Sequence, residues 1–267
     1  MKPIYFLPGK HCSSLIKKYE YLKSEETVHI IDRYIPRGDA ALVFNLEGAV
    51  HVRKENGERE ALPEYFVTPN VMQPLIIEVS GKMKSIIAIC YASRLSRLLS
   101  ISLKPIPGKN FITLDSVPTT NLVAQLRLAN DPKTMIALFE SYLSSTCLMT
   151  SYIPDTIDKI YDSISAHAVL TPLKEITGLK GENERSLRRK FLNRTGVSAK
   201  TLSRIIRVNY LWDQVEKKEA VNYQDLVFEG KYFDQAHFIK DFKSILGETP
   251  GQFFRRNREN VKLISGK

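Results

Sequence analysis

Long apolar stretches are missing from this chain of 267 residues. The longest apolar run extends from Ile86 to Ala92, far short of the ~20 residues that a membrane-spanning helix needs. The N-terminal segment from Met1 to Tyr5 lacks the apolar core of a secretory signal. Because 43% of the residues are hydrophobic and 25% are charged, the composition is that of a folded globular protein. We therefore expect a cytoplasmic protein with no membrane partner.

Cysteine and histidine are scarce, and neither shows a spacing typical of a metal or redox site. The three cysteines, Cys12, Cys90 and Cys147, lie far apart without a CxxC pair, which argues against a disulfide framework and a thiolate zinc site. The five histidines form no HxH pair followed by a glutamate. Neither a GxSxG motif, a phosphate-binding loop nor a dinucleotide fingerprint occurs. These absences predict a protein that is not an enzyme and has no cofactor and no metal site.

Basic residues are in excess, and the formal net charge is +10. The excess is concentrated between Arg185 and Trp212, where eight basic residues occur without an acidic one. A cluster of like charge indicates a polyanionic partner such as nucleic acid. A solvated helix face has the same composition, so charge alone leaves both interpretations open.

The first 150 residues have the pattern of a β-rich region. Short apolar and β-branched segments alternate with turn residues, which predicts a sandwich or a barrel. Turns are predicted at Glu47-Gly48 and at Ser80-Gly81, among other places. The predicted strands are Val28–Tyr34, Ala41–Leu46, Ala49–Arg53, Ile76–Val79 and Lys84–Tyr91.

Helical spacing of apolar residues replaces the strand pattern after Ser93. A junction is expected at residues 150–154, and Pro154 suits the first turn of a following helix. We predict an α+β chain of two domains, 1–150 and 151–267, the second of seven helices. The first domain is expected to contain helices at Arg94–Ser100, Leu122–Leu128 and Lys133–Met149. The second is expected to contain helices at 154–168, 172–179, 183–194, 199–217, 222–230, 234–246 and 250–259.

The helical half contains an internal repeat with an offset of 51 residues. Asn183 and Asp234 stand at equivalent places, as expected for the N-caps of two similar helices. A match over this many positions in one register indicates two tandem helical units. The matching pairs are Leu187 with Phe238, Phe191 with Phe242, Gly196 with Gly247, Ser198 with Thr249, Leu202 with Phe253, and Arg204 with Arg255.

Each unit predicts a short helix, a tight turn and a second helix, which is the helix-turn-helix arrangement. In the first unit, about 172–194, Arg185, Arg188 and Arg189 share one face and suit phosphates or the O6/N7 edge of guanine. In the second unit, about 222–246, the polar face carries side chains that suit base edges and a histidine that suits a phosphate. These residues are Gln235, Ala236, His237 and Lys240.

The sequence at these two units resembles AraC/XylS-type transcription regulators. The first unit shows Leu187-Arg188-Arg189-Lys190-Phe191 followed by Thr195-Gly196-Val197-Ser198-Ala199. The second, more specific signal is the string from Tyr232 to Lys243 followed by Gly247-Glu248-Thr249-Pro250. The turn before the second recognition helix has Lys231 where these regulators usually have glycine. Likewise, Thr177 and Val227 replace a small residue in the positioning helices.

This resemblance, which covers roughly residues 154–258, implies a DNA-binding domain in which a long helix, about 199–217, joins the two units. It also implies that Arg185, Arg188, Arg189, Gln235, Ala236 and Lys240 contact bases and that His237 contacts a phosphate. The segment from Pro36 to Leu46, followed by Ser80-Gly81 and a long strand, is more weakly similar to the cupin-like sensor domains of such regulators.

The expected function is therefore sequence-specific regulation of transcription. The expected partners are double-stranded DNA, RNA polymerase, a small-molecule effector of the N-terminal domain and a second copy of the chain. Two alternatives remain open at this point: a cupin-like metalloenzyme, and a DNA-binding protein whose N-terminal domain only dimerises. Neither the effector nor the choice between activation and repression is defined by the sequence.

Overall fold

A computed structural model describes residues 2–54, 57–70, 75–114, 120–146, 152–167, 184–216 and 223–260. We call the described residues up to 146 the sheet region and those from 152 to 260 the helical region. The strands are β1 (Ile4–Phe6), β2 (Ile16–Lys23), β3 (Val28–Tyr34), β4 (Ala40–Arg53), β5 (Arg59–Ala61), β6 (Tyr65–Thr68), β7 (Leu75–Cys90) and β8 (Ile112–Thr113). The helices of the sheet region are α1 (Ala92–Leu98), α2 (Thr120–Leu128) and α3 (Pro132–Thr146). Those of the helical region are α4 (Thr156–His167), α5 (Glu184–Thr195), α6 (Ala199–Glu216), α7 (Tyr223–Glu229), α8 (Gln235–Leu246) and α9 (Pro250–Asn260).

One antiparallel sheet contains all the described strands. Its order is β1-β2-β7-β4-β6-β8, with β3 beside β7 and β5 beside β4. The long strands β4 and β7 pair from Ala40↔Cys90 to Arg53↔Ile76. Near Ala40 they are flanked by β2 and β6, and near Arg53 they are flanked by β3 and β5. The chain therefore has the expected α+β architecture, with a β-rich N-terminal half and a helical C-terminal half.

The turns predicted at Glu47-Gly48 and Ser80-Gly81 are wrong. Both glycines lie inside continuous strands, with φ of +83° at Gly48 and +94° at Gly81. The register between β4 and β7 shifts on either side of Glu47, as it does at a β-bulge. A Cβ at Gly48 would lie 2.2 Å from the Met83 sulfur, so this position has no room for a side chain. The positive φ at Gly48 therefore accompanies a bulge in the pairing of β4 with β7, and the chain does not form a hairpin there.

Helices α2 and α3 cover one face of the sheet. The Phe139 ring of α3 packs edge-on against Tyr19 of β2 and Phe44 of β4, with centroids 5.9 and 5.4 Å apart. Side chains of β4 alternate between faces, so Val43 belongs to a smaller cluster that includes Phe66. The large buried cluster under α3 continues into the helical region, which makes the two regions share one apolar interior.

The helical region follows the predicted pattern closely. Asp155 is the N-cap of α4, because its carboxylate accepts the Asp158 amide at 3.1 Å. Pro154 therefore precedes the N-cap, and its predicted place in the first turn is wrong. The predicted helix 172–179 and Asn183 lie outside the described residues. Within the described residues, no helix combines the length and apolar composition needed to span a bilayer.

Candidate nucleic-acid interface

Helix α5 places the three predicted arginines on its exposed side. Arg185, Arg188 and Arg189 are all exposed, whereas Phe191 is 3% exposed and anchors the opposite side. Arg188 forms an ion pair with Glu184 one turn earlier. Because that pair is exposed, it restrains Arg188 only weakly. These guanidinium groups, all on the N-terminal half of the helix, are therefore accessible to a polyanion.

Helix α8 exposes the second predicted set. Gln235, Ala236 and Lys240 are exposed, while Phe238 and Phe242 are fully buried beneath them. The predicted N-cap is confirmed at this helix, since Asp234 accepts the His237 amide at 2.7 Å. The C-terminus is closed by Gly247 in the left-handed conformation, as helix ends commonly are.

The side chain of His237 lies between an aromatic ring and a carboxylate. Its ring centroid is 5.2 Å from that of Tyr232. Its Nε2 atom is 3.9 Å from the Asp241 carboxylate, which also accepts Arg204 Nε at 3.0 Å. The imidazole remains 48% exposed. It is therefore held against the helix and still accessible to a phosphate oxygen.

Helix α6 joins the two recognition helices. Its 18 residues give a length of ~27 Å at ~1.5 Å per residue. Ser198 caps its start by accepting the Thr201 amide at 3.1 Å. Arg204 of α6 reaches α8, where it donates to Asp241 and, at 2.5 Å, to Ser244. The long helix is thus fixed directly to the second recognition helix.

The turn before α8 keeps its shape without the usual glycine. Lys231 has a φ of +50°, the left-handed conformation that glycine adopts most readily. Phe233, which follows, is 92% exposed at the N-terminal edge of α8. Sequence reasoning did not single out Phe233, because an aromatic residue beside Tyr232 is indistinguishable from a core residue before the structure shows its exposure.

The sheet region holds the C-terminal end of α5. The Leu103 amide donates to the Asn193 carbonyl at 2.7 Å, and the Asn70 side-chain amide donates to the Thr195 carbonyl at 2.7 Å. The Arg194 guanidinium donates to the Ser93 carbonyl through Nε and Nη2, at 3.0 and 2.8 Å. The Asn193 and Thr195 carbonyls, which lie in the last turn of α5 where helical partners are missing, are thereby hydrogen-bonded by the sheet region.

Arg194 also links α5 to the start of α4 through two acids, the buried Asp158 and the partly exposed Asp155. Its guanidinium lies 2.6 Å from the fully buried Asp158 and 2.5 Å from Asp155. Although burial opposes ionisation of Asp155, hydrogen bonds from the Asp158 amide and Arg194 lower the pKa of its carboxyl. The basic run of the sequence therefore contains two kinds of arginine: exposed ones on α5, and the partly buried Arg194, whose bonds are structural.

A second part of the interface between the regions involves main-chain acceptors of residues 36–38. The Pro36 carbonyl accepts the Asn209 side chain of α6 at 2.8 Å. The Gly38 carbonyl accepts Tyr161 of α4 at 2.8 Å and Asn70 at 3.0 Å. Gly38 has a φ of +86°, and a Cβ there would lie 2.8 Å from the Leu202 side chain.

The end of α8 has a weaker connection to the sheet. Arg33 of β3 donates to the Leu246 carbonyl at 3.3 Å and lies 4.0 Å from Glu248. The sheet region thus contacts the C-terminal ends of both recognition helices and leaves their predicted base-contacting residues exposed. Sequence reasoning missed Asn70 and the structural role of Arg194, because their partners are distant in the chain.

Residues 181–256 match the family model described as a helix-turn-helix domain. No curated protein matches the chain. Among solved structures, ToxT from Vibrio cholerae has 12% identity and a TM-score of 0.48, over 88% of this chain and 98% of its own. Fatty acid-bound ToxT from strain SCE256 has 11% identity and a TM-score of 0.41, over 91% and 98%. The AraC-like transcriptional activator CuxR has 9% identity and a TM-score of 0.23, over 98% and 87%.

Two exposed basic helices in a matched helix-turn-helix domain define a DNA-binding protein. The chain is a DNA-binding transcription regulator with a β-rich N-terminal region. The family match lies within the part of the sequence that resembles AraC/XylS-type regulators, and it confirms that resemblance for residues 181–256.

Proposed function

We propose that one chain recognises an asymmetric DNA site by inserting α5 and α8 into two successive major-groove segments. Arg185, Arg188 and Arg189 contact bases in one half of the site. The other half is contacted by Gln235, Ala236 and Lys240, while His237 donates to a phosphate. The observation that carries this proposal is the equivalent exposure of both polar faces above buried phenylalanines.

The length of α6 supports the spacing of this proposed site. Its ~27 Å is close to the ~34 Å that separates successive major-groove segments on one face of B-DNA. One chain should therefore protect two segments about 10 base pairs apart, centre to centre. Hydroxyl-radical footprinting of the full chain tests this spacing. Protection of a single segment would contradict the two-helix proposal.

The first experiment is selection of genomic fragments by the purified protein, followed by fluorescence anisotropy on the selected site. Arg188→Ala and Arg189→Ala should each weaken binding by about 1–3 kcal/mol, with loss of discrimination at one base position. Lys200→Ala is the matched control, since this exposed lysine lies outside both recognition helices. Unchanged affinity in both arginine variants would overturn the assignment of α5.

We further propose that residues 1–150 form a sensor and dimerisation domain, joined at about residue 150 to a DNA-binding domain. Its contacts with the ends of α5 and α8 support this role, because a change in the sheet region reaches both helices. In this proposal the chain acts in the cytoplasm by binding, not catalysis. Its further partners are a small-molecule effector, a second copy and RNA polymerase.

The proposed regulation separates into two measurements. Sedimentation of the full chain with and without its DNA site determines whether two copies assemble. A thermal-shift screen of small molecules, followed by anisotropy with each hit, tests for an effector. A compound that stabilises the protein should also change its DNA affinity. Compounds that stabilise without any change in affinity would contradict a sensory role for the sheet region.

A further inference from the structure

We propose that His11, Cys12 and Glu140 form a binding site for a divalent cation of the zinc type. The site lies in the loop between β1 and β2, where this loop packs against α3. Cys12 and Glu140 are buried, whereas the His11 side chain is 54% exposed. One ligand atom from each residue lies within 4.8 Å of the other two.

The Glu140 carboxylate is held in place by its other oxygen. Oε1 accepts the Gly9 amide at 2.8 Å and the Tyr19 hydroxyl at 3.2 Å. Oε2 faces His11, whose Nε2 atom is 3.4 Å away. Hydrogen bonds of this kind orient the ligands of metal sites and contribute to their affinity.

The loop that carries His11 and Cys12 is ordered by its own main chain. The Cys12 amide donates to the Gly9 carbonyl at 2.9 Å. The Cys12 carbonyl in turn accepts the amides of Leu15 and Ile16, each at 2.9 Å. The thiol is therefore placed beside Glu140 by a compact turn, and its position does not depend on a long flexible segment.

The three groups match the preferences of zinc. Imidazole nitrogen, thiolate sulfur and carboxylate oxygen are its usual ligands, at ~2.0–2.3 Å in tetrahedral geometry. Such bonds bring neighbouring donors to about 3.3–3.8 Å from one another. The His11–Glu140 separation already lies in this range, and the exposed imidazole is free to approach the sulfur. Three protein ligands leave the fourth position for water or a small anion.

Cys12 does not have the setting of a redox-active cysteine. Burial, together with the nearby Glu140 carboxylate, raises the pKa of the Cys12 thiol to about 11. A reactive cysteine instead has a lowered pKa and an electropositive setting. A bound cation would connect the N-terminal loop to α3, so the metal would stabilise the packing of the sheet region.

Cobalt(II) titration of the full chain, after dialysis against a chelator, tests the site. The parent should bind one equivalent with a thiolate-to-cobalt charge-transfer band in the near ultraviolet, and zinc should abolish that band. Cys12→Ser should lose the band. Tyr19→Phe, which removes one hydrogen bond to Glu140, should weaken binding by about 10–100-fold. Cys90→Ser is the matched control, since Cys90 is buried outside the cluster and the band should persist.

A variant of the exposed His11 separates loss of the metal site from loss of folding. His11→Ala should weaken cobalt binding while the circular dichroism spectrum stays that of the parent. The proposal is overturned if the parent shows no charge-transfer band, or if Cys12→Ser retains it.

Discussion

The two recognition helices are supported in different ways. Helix α8 buries Phe238, Phe242, Ile245 and Leu246 and is closed at both ends by its own caps. Helix α5 has only Phe191 and Thr195 as buried residues, and its C-terminal end is fixed by the sheet region. One recognition helix therefore rests on the helical region itself, whereas the other depends on contacts made across the interface between the two regions.

The aromatic cluster around α8 explains its independence. The Phe242 ring packs edge-on against Phe253 and Phe254 of α9, with centroids 5.4 and 5.5 Å apart. Trp212 of α6 stacks on Phe254 at 5.8 Å. Such pairs add to the stabilisation from apolar burial. A structural change in the sheet region should accordingly affect α5 more strongly than α8.

The largest expected effect is on the self-supported helix. Phe242→Ala should lower the free energy of unfolding by about 3–5 kcal/mol, because it removes a fully buried ring and leaves a cavity. Denaturant titration measures this loss. Phe233→Ala, which removes an exposed ring before the same helix, should change stability by less than about 0.5 kcal/mol. Equal losses of unfolding free energy in both variants would contradict the conclusion that α8 is stabilised by its own buried core.

The dependence of α5 is tested by Arg194→Ala. This change removes charge-assisted bonds to Ser93, Asp155 and Asp158 and should cost about 1.5–3 kcal/mol. Hydrogen exchange should accelerate in α5 and stay unchanged in α8. Lys190→Ala, at an exposed position of α5, serves as the control. If both helices exchange faster by the same factor, the two are not supported separately.

Acid should weaken the ion pair between Arg194 and Asp155. Because the pKa of Asp155 is lowered in the folded protein, its contribution is present above the ordinary carboxyl value and is lost as the pH falls through the folded value. As the pH falls below the ordinary carboxyl value, the stability of the parent should thus decline more steeply than that of Asp155→Asn. Parallel pH profiles for the two proteins would contradict the assignment.

The smallest expected effect concerns the turn before α8. Lys231→Gly should raise stability by about 0.5–1 kcal/mol, since glycine relieves the left-handed strain but loses more entropy on folding. Lys231→Ala retains the strain and should bring no gain. Thermal unfolding of the three proteins distinguishes these outcomes. A gain in the alanine variant would show that the lysine side chain, not its backbone, is unfavourable there.

Helices were predictable where their signals are local. The bounds of α6, α8 and α9 agree with the predicted ones within about two residues, because caps and apolar spacing lie within each segment. The exposure of the predicted base-contacting residues also follows from this spacing. Their contacts with DNA remain a prediction.

Features that depend on distant partners were not predictable. Gly48 has the sequence of a turn, and only the pairing of β4 with β7 makes it a bulge. Asn70 is 1% exposed and bonds to Gly38 within the sheet region and to Thr195 across the interface. The cluster of Cys12 with Glu140 was missed for the same reason, since neither residue has a metal-site spacing within the sequence.

The carbonyls of Pro36 and Gly38 at the interface have a consequence for evolution. A main-chain acceptor survives almost any substitution at its own position, so the bonds from Asn209, Asn70 and Tyr161 place little demand on the identity of the loop residues. Gly38 is the exception, because its φ of +86° is a left-handed conformation that other residues rarely adopt. Homologues can thus diverge around this loop and keep the same linkage, provided that they keep Gly38 and the three side chains that donate to the Pro36 and Gly38 carbonyls.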